Sequence, residues 1–312
     1  MAKIALFGAA GAIGNSIAAA LRAKQQPYRV VGRSRDALQR DFGSDPLAEI
    51  VTWNPDDPAS VIPAAKDIDA IIYLVGVPYD HFELHPQLMR KTLDGAIAAG
   101  VPRLLLIGTV YPYGLAQTNP VREDHPRNPH TFKGRMRKEQ EDLLLAADAG
   151  GKIRGAVLRL PDFYGPGVDK SFLHIIFVAA ANGTRAQVIG PIDTPHEYVF
   201  VPDVGPVVAR LIDNPAAYGR WWHLAGAGTI TTREVANRAF ARTGHKPRML
   251  VAGKTTLRLM GLFNPLMREM VEMNYLQTSP LVLDDSALRG LLGEIKKTPY
   301  EEGTRQCVEA VR

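Results

Sequence analysis

Cysteine is almost missing: Cys307 is the single one in 312 residues. One thiol excludes a disulfide framework and a cysteine zinc site within the chain. Long apolar runs are missing too. The longest, such as residues 70–77, fall far short of the ~20 residues that a helical membrane span needs. No basic region followed by a long apolar stretch opens the sequence, so no secretory signal is expected and a cytoplasmic protein is the default. Low-complexity tracts, fixed-period repeats and charged tails are lacking. No HExxH pattern occurs, so no metal site is expected.

What is present is ordinary for a globular protein, with 46% hydrophobic and 22% charged residues. The net charge is +5. The dense basic cluster is Lys133, Arg135, Arg137 and Lys138, with Glu139, Glu141 and Asp142 beside it. Mixed signs at the start of a predicted helix suit a solvated face or a dinucleotide-phosphate site, and no nucleic-acid partner is expected.

Apolar strands are predicted over 3–7, 28–31, 49–52, 70–75, 103–107 and 153–160. Helices with 3.6-residue periodicity fall between them, including 15–24, 87–99 and 136–149. The alternation predicts an α/β fold, a doubly wound parallel Rossmann sheet. Beyond Pro161 the pattern loosens. Residues 199–203 are expected to return to the sheet, Trp221, Trp222 and His223 to pack at a lobe junction, and 233–242 and 257–275 to be helical. The predicted domains are 1–166 with 199–215 for the dinucleotide. Residues 167–198 and 216–312 would form a smaller, mainly helical substrate lobe. Met260, Met267, Met270 and Met273, on helical spacing, read as core or as the lining of an apolar pocket.

The first strand runs straight into a glycine loop, Gly8, Ala9, Ala10, Gly11, Ala12, Ile13 and Gly14, and then a helix. A helix N-terminus offers free N–H groups and a partial positive charge, and glycine lets a phosphate approach the backbone. The second strand ends at Arg33, Ser34 and Arg35, where an NAD-selective site usually has an acid for the ribose hydroxyls. A guanidinium can pair with the 2′-phosphate of NADP. NADP(H) is therefore favoured. The other reading is that the arginines are solvated and Asp36 serves NAD(H), although Asp36 better suits a helix cap.

The glycine loop and three further stretches resemble the short-chain dehydrogenase/reductase superfamily in its extended, epimerase/dehydratase-like branch. The glycine loop has the GxxGxxG form. Residues 108–114 resemble the SSxxVYG segment, 158–167 the LRxxNVYGPG stretch and 196–204 the RDFVYVDDV stretch. The resemblance implies that Trp53 and Asn54 meet adenine, and that Val75, Gly76 and Val77 lie beside the ribose and pyrophosphate. It also implies that Pro161, Asp162 and Phe163 meet the nicotinamide, with Asp162 where Asn is common. Thr109 matches the hydroxyl position.

The chain departs from the family at the YxxxK pair. No tyrosine lies between Asp124 and Asp142, and alignment on Glu141 puts Lys133 and Arg137 at the two positions. Three readings stay open. Lys133 carries the proton and touches the cofactor, with Arg137 holding its ribose or phosphates. Or a tyrosine serves instead, from among Tyr111, Tyr113, Tyr164 and Tyr79. Or the site binds NADP without redox chemistry, as a regulatory protein would. Tyr79, Tyr113, Tyr164 and His196 are the candidate substrate contacts. The leading expectation is an NADP(H)-dependent oxidoreductase that reduces a carbonyl or oxidises an alcohol on a small organic substrate. The alternative is an NAD-dependent sugar-nucleotide epimerase or dehydratase. A monomer or a homodimer is expected.

Overall fold

The computed structural model describes residues 3–263 and 265–312. In chain order the strands are β1 (Ile4–Phe7), β2 (Tyr28–Gly32), β3 (Ala48–Thr52), β4 (Ala70–Tyr73), β5 (Arg103–Thr109), β6 (Arg154–Leu160), β7 (Asp162–Tyr164), β8 (Ala186–Ile189), β9 (His196–Phe200), β10 (Arg220–His223), β11 (Thr229–Ile230) and β12 (Met249–Ala252). The helices are α1 (Ala12–Ala23), α2 (Arg35–Phe42), α3 (Val61–Ala65), α4 (Leu84–Ala98), α5 (Phe132–Ala149), α6 (His174–Asn182), α7 (Val201–Leu211), α8 (Thr232–Thr243), α9 (Lys254–Gly261), α10 (Pro265–Met273), α11 (Tyr275–Thr278), α12 (Ser286–Leu292) and α13 (Tyr300–Ala310).

Among the described residues, seven strands form an all-parallel sheet in the order β3-β2-β1-β4-β5-β6-β10. Strands β1 and β4 are buried along their whole length, which is why both read as unbroken apolar runs. Their side chains alternate between two cores. Ile4 and Leu6 meet Ile17 and Leu21 of α1 and Val204 and Val208 of α7. Ala5 and Phe7 face Val61, Met89, Leu93 and Leu144. Each such large side chain contributes about 1.5–3 kcal/mol by leaving water. The strand order reverses between β1 and β4, and a crevice for ligands forms at the carboxyl ends there. This is the doubly wound α/β fold expected from the alternation.

Three local expectations are corrected. Residues 199–203 do not return to the main sheet. β9 instead pairs with β7 and β11 in a small sheet, and the chain enters α7 at Val201. Pro202 stands in the first turn of that helix, where its fixed φ and missing N–H are tolerated. The seventh strand of the main sheet is Arg220–His223, parallel to β6. That tryptophan pair lies in the segment expected for the lobe, and it packs as a strand. The helix expected over 257–275 is divided into α9, α10 and α11. Asn264 and the side chains of Met260, Leu266 and Met267 lie outside the described residues, whereas Met273 is buried with Leu276 and Tyr113. Smaller shifts have local causes. Helix α5 begins at Phe132 because the Thr131 side chain accepts a hydrogen bond from Gly134 N at 3.0 Å. Ser34, not Asp36, caps α2 by accepting from Ala37 N at 3.2 Å.

A third core lies in the lobe, where α6, α8 and α13 pack around Phe177, Tyr198, Phe240 and Cys307. Glu197 of β9 is buried at its edge, and its Oε2 accepts from Leu283 N at 3.0 Å. Burial pushes its carboxyl from the ordinary 4.5 up to about 7, against the pull of that bond and of Lys297. The raised value makes the folded state bind the proton more tightly than the unfolded chain does. Glu197 therefore contributes stability below 4.5 that is lost as pH rises towards 7. Urea midpoints measured across that window are expected to fall with pH in the native protein and to flatten in Glu197→Gln. An equal slope in both would refute this role.

Candidate active site

The crevice is built from four loops at the carboxyl ends of β1, β4, β5 and β6. Behind β1, Gly8 has φ +86°, and a Cβ there would lie 2.7 Å from the Val75 backbone. A Cβ on Gly14 would lie 1.9 Å from the Ala9 carbonyl oxygen. These two glycines let loop, helix and β4 close on one another. Gly11 differs, since a Cβ there meets nothing within 4 Å. Gly11 is the N-cap of α1 and supplies no side-chain cap, and no acid stands in the first turn. Free amides facing open space fit the pyrophosphate of a dinucleotide. Ala10, Ala12 and Ile13 complete the loop.

At the end of β2, Arg33 and Arg35 are exposed, and neither side chain has a hydrogen bond or ion pair among the described residues. Trp53, beyond β3, is buried edge-on against Phe7 at 5.8 Å. Asn54 Oδ1 accepts from Asp56 N at 3.0 Å. Val75, Gly76 and Val77 follow β4, and Gly76 is open around its Cα. Pro161, Asp162 and Phe163 follow β6, whose Leu160 lies in register with Thr109.

At the two positions of the missing pair, Lys133 and Arg137 are both buried. Lys133 Nζ is bonded to Glu269 and, at 2.8 Å, to Glu272, both on α10. Its ammonium also lies 5.0 Å from the Tyr79 ring centroid and 5.5 Å from that of Phe82. Arg137 donates from Nη1 to His85 Nδ1 at 3.1 Å and from Nη2 to the Ile107 carbonyl at 3.3 Å. Burial and the Arg137 charge pull His85 down to about 2, so its neutral ring is free to accept.

Above these lies a ring of phenols. The Tyr79 and Tyr111 hydroxyls lie beside each other, and Tyr111 stacks on Phe82 at 6.3 Å. Thr109 Oγ1 accepts from Tyr111 N at 3.4 Å. Burial pushes Tyr79, Tyr111 and Tyr275 upward, and the Asp162 charge adds to the shift in each. The three therefore stay protonated and act as hydrogen-bond donors. Asp162 Oδ2 is itself bonded to His196 Nε2 at 2.8 Å.

Thr109, Tyr111, Tyr79, Lys133, Arg137, Asp162 and His196 are thus gathered at one mouth. Tyr113 and Tyr164 are not. Tyr113 is fully buried, with its hydroxyl between Arg159 and His223 Nε2. Burial and Arg159 pull His223 down to about 3. Its neutral ring therefore accepts from Tyr113 while Nδ1 donates to the Asp284 carbonyl at 3.0 Å. Tyr164 stacks on Tyr300 at 5.6 Å in the lobe core. Glu269, Glu272, Phe82 and Tyr275 went unnoticed in the sequence. The acids at i and i+3 share one helix face, but nothing local links them to a lysine 136 residues away.

His81 and His85, four apart, do not converge: His81 is exposed beside Glu83, while His85 turns inward. Among the described residues no cluster of three or more His, Cys, Asp or Glu could hold a metal ion. No helix among them is long and apolar enough to cross a membrane.

The sheet, the glycine loop and the crevice define a doubly wound α/β protein of the dinucleotide-binding fold type. The pattern of the NAD dependent epimerase/dehydratase family matches residues 4–224, and the chain belongs to that family, as the motif resemblance implied. It is similar to Protein YeeZ of Escherichia coli K12, at 29% identity over 173 residues, 54% of this chain and 61% of that protein. A dTDP-6-deoxy-L-talose 4-dehydrogenase (NAD(P)(+)) of Kitasatospora kifunensis is 25% identical over 193 residues, 59% of this chain and 60% of that one. The chain thus spans about three-fifths of the length of these relatives. Among solved structures, the dTDP-glucose 4,6-dehydratase DesIV of Streptomyces venezuelae, with NAD bound, superposes with a TM-score of 0.82 at 17% identity, covering 99% of this chain and 96% of that one.

Proposed function

We propose that the chain is an NADP(H)-dependent oxidoreductase that reduces a carbonyl or oxidises an alcohol on a small, partly apolar substrate. The carrying observation is the unpaired Arg33 and Arg35 at the end of β2, where the 2′-phosphate of NADP would lie. The amides of α1 would hold the pyrophosphate, and Trp53 and Asn54 the adenine. Bound nicotinamide supplies or takes the hydride. Thr109 orients the substrate oxygen, and Lys133 or Tyr111 hands it a proton or takes one away. Arg137 holds the polar edge of the cofactor side. The residues of 167–198 and 216–312 outside β10 roof the substrate, in a monomer or a homodimer.

The second reading is an NAD-dependent epimerase or dehydratase acting on a sugar nucleotide. The names of the family and of DesIV favour it, and the talose dehydrogenase favours the sugar nucleotide but not the reaction. Fluorescence titration with NADPH and NADH separates the two. NADPH is expected to bind more tightly, and Arg33→Ala to weaken NADPH by about 10–100-fold, the worth of one charged hydrogen bond, with NADH unchanged. Tighter binding of NADH, or equal losses for both cofactors, reverses the order of the readings.

A further inference from the structure

The net charge of +5 is held in one place. Residues 244–268 contain Lys246, Arg248, Lys254, Arg258 and Arg268 and no acid, so the rest of the chain is neutral overall. All five are exposed, and none of their side chains has a hydrogen bond or ion pair among the described residues. The same segment carries the three most exposed large apolar side chains among those residues, Leu259 at 61%, Leu262 at 74% and Phe263 at 90%. Helix α9 buries Leu257 and Gly261. Leu262 N bonds to the Leu259 carbonyl at 3.3 Å, so the helical winding runs on into the turn. At about 100° per residue, Leu259, Leu262 and Phe263 then lie opposite the buried pair. Lys254 and Arg258, one turn apart, flank this apolar face. Arg268 stands beside the end of α9, since a Cβ on Gly261 would lie 3.1 Å from its Cα. Farther along α10, Glu269 and Glu272 bond to Lys133, so the apolar tip adjoins the roof of the mouth.

We propose that the turn between α9 and α10 docks on an anionic lipid surface. Leu259, Leu262 and Phe263 enter the headgroup boundary, and Lys254, Arg258 and Arg268 meet the lipid charges. A helix that lies on a membrane combines an apolar face with flanking cations and needs no spanning length. The leucines and the phenylalanine gain by leaving water, and each Lys or Arg near an anionic leaflet strengthens binding by about fivefold. Lys246 and Arg248 widen the basic field. A second copy of the chain is a poor occupant. A two-fold contact brings the same patch against itself, and unpaired cations would face their own kind with no acid between them. Nucleic acid would use the cations but not Leu259 and Leu262, which offer no ring for a base to stack on. A lipid surface uses both. Docking there holds the crevice mouth, through α10, at the membrane.

Co-sedimentation of the whole chain with vesicles is the test, using phosphatidylcholine alone and an equal mixture with phosphatidylserine. The native protein is expected to bind the mixed vesicles at least about tenfold more tightly than the neutral ones. Lys254→Glu with Arg258→Glu is expected to remove that preference. Lys66→Glu with Lys152→Glu changes the net charge equally at exposed sites elsewhere, and is expected to weaken binding by no more than about twofold, since remote charges are screened. Leu262→Ser with Phe263→Ser is expected to weaken binding to the mixed vesicles by at least about tenfold. Its thermal midpoint should hold, because both side chains are exposed, and Phe263→Ser alone is the second variant should the pair fail to fold. No binding, equal binding to the two vesicle types, equal losses in the two charge variants, or indifference to the serine substitutions overturns the proposal. So does a dimer that those substitutions dissociate, or tighter binding to single-stranded DNA than to the mixed vesicles.

Discussion

Replacing Arg159 by leucine is expected to cost about 3–5 kcal/mol of folding stability, because it leaves a buried carboxylate without its partner. Arg159 has no exposed surface. Its Nε donates to Glu141 Oε1 at 3.0 Å, Nη2 binds the other oxygen, and Nη1 binds the Tyr113 hydroxyl. The guanidinium also lies 4.6 Å from the Tyr113 ring and 5.0 Å from that of Trp221. Arg127 provides a second, more exposed contact to Glu141 at 3.2 Å, too little to neutralise it once Arg159 is gone. The check is a urea titration of Arg159→Leu beside the double variant Glu141→Leu, Arg159→Leu. The double variant is expected to be more stable than the single one, since no unpaired charge stays buried. A single variant within about 1 kcal/mol of the native protein, the scale of an exposed pair, would refute the account.

Gly11→Asp is expected to abolish cofactor binding at a modest cost to the stability of the fold. Its Cβ would meet no atom within 4 Å, but at φ +158° it would strain the backbone, in a conformation that L side chains rarely adopt. The carboxylate would occupy the space before α1 and neutralise the N-terminal amides that the pyrophosphate needs. A loss of at least about 100-fold in NAD(P)H affinity is expected, equivalent to some 2.8 kcal/mol, with a thermal midpoint lowered by the backbone strain of about 1–3 kcal/mol. Gly14→Ala is the contrasting control, since its Cβ runs into the Ala9 carbonyl and damages the packing itself. Unchanged affinity in Gly11→Asp would place the pyrophosphate elsewhere.

The contrast between these glycines marks what the sequence made legible. Strand, glycine loop and helix are contiguous, so local spacing revealed the cofactor side of the crevice. The run of buried residues in β4 announced a parallel sheet in the same way. The seventh strand was harder to see. Arg220–His223 is short, and its pairing with β6 is set by tertiary contacts rather than by any period in its four residues. The carboxylates on Lys133 were hidden for a related reason. Their helix joins the site from a distant part of the chain, and only the folded molecule shows which face turns inward. The Asp162–His196 pair was half legible, because both residues stood at motif positions but nothing in either motif linked one to the other.

One packing detail bears on how such an enzyme could be remodelled. Ser16 on α1 donates to the Val201 carbonyl at 2.8 Å and accepts from Gly205 N at 3.0 Å. A Cβ on Gly205 would lie 2.1 Å from the Ser16 carbonyl oxygen. The helix that carries the pyrophosphate end of the crevice is thus bolted to α7, which begins directly after β9 and its His196. Asp203 on the same helix then grips Thr298 through Thr298 N at 2.6 Å and Oγ1 at 2.9 Å. A graft that exchanged everything after Leu160 for the corresponding part of a relative would cut the fastening of Ser16 to α7, while the Asp203–Thr298 contact lies wholly within the exchanged part. Substrate preference in this scaffold therefore changes by point substitution at the mouth more readily than by swapping lobes, and a chimera keeps its cofactor geometry only if α7 travels with α1.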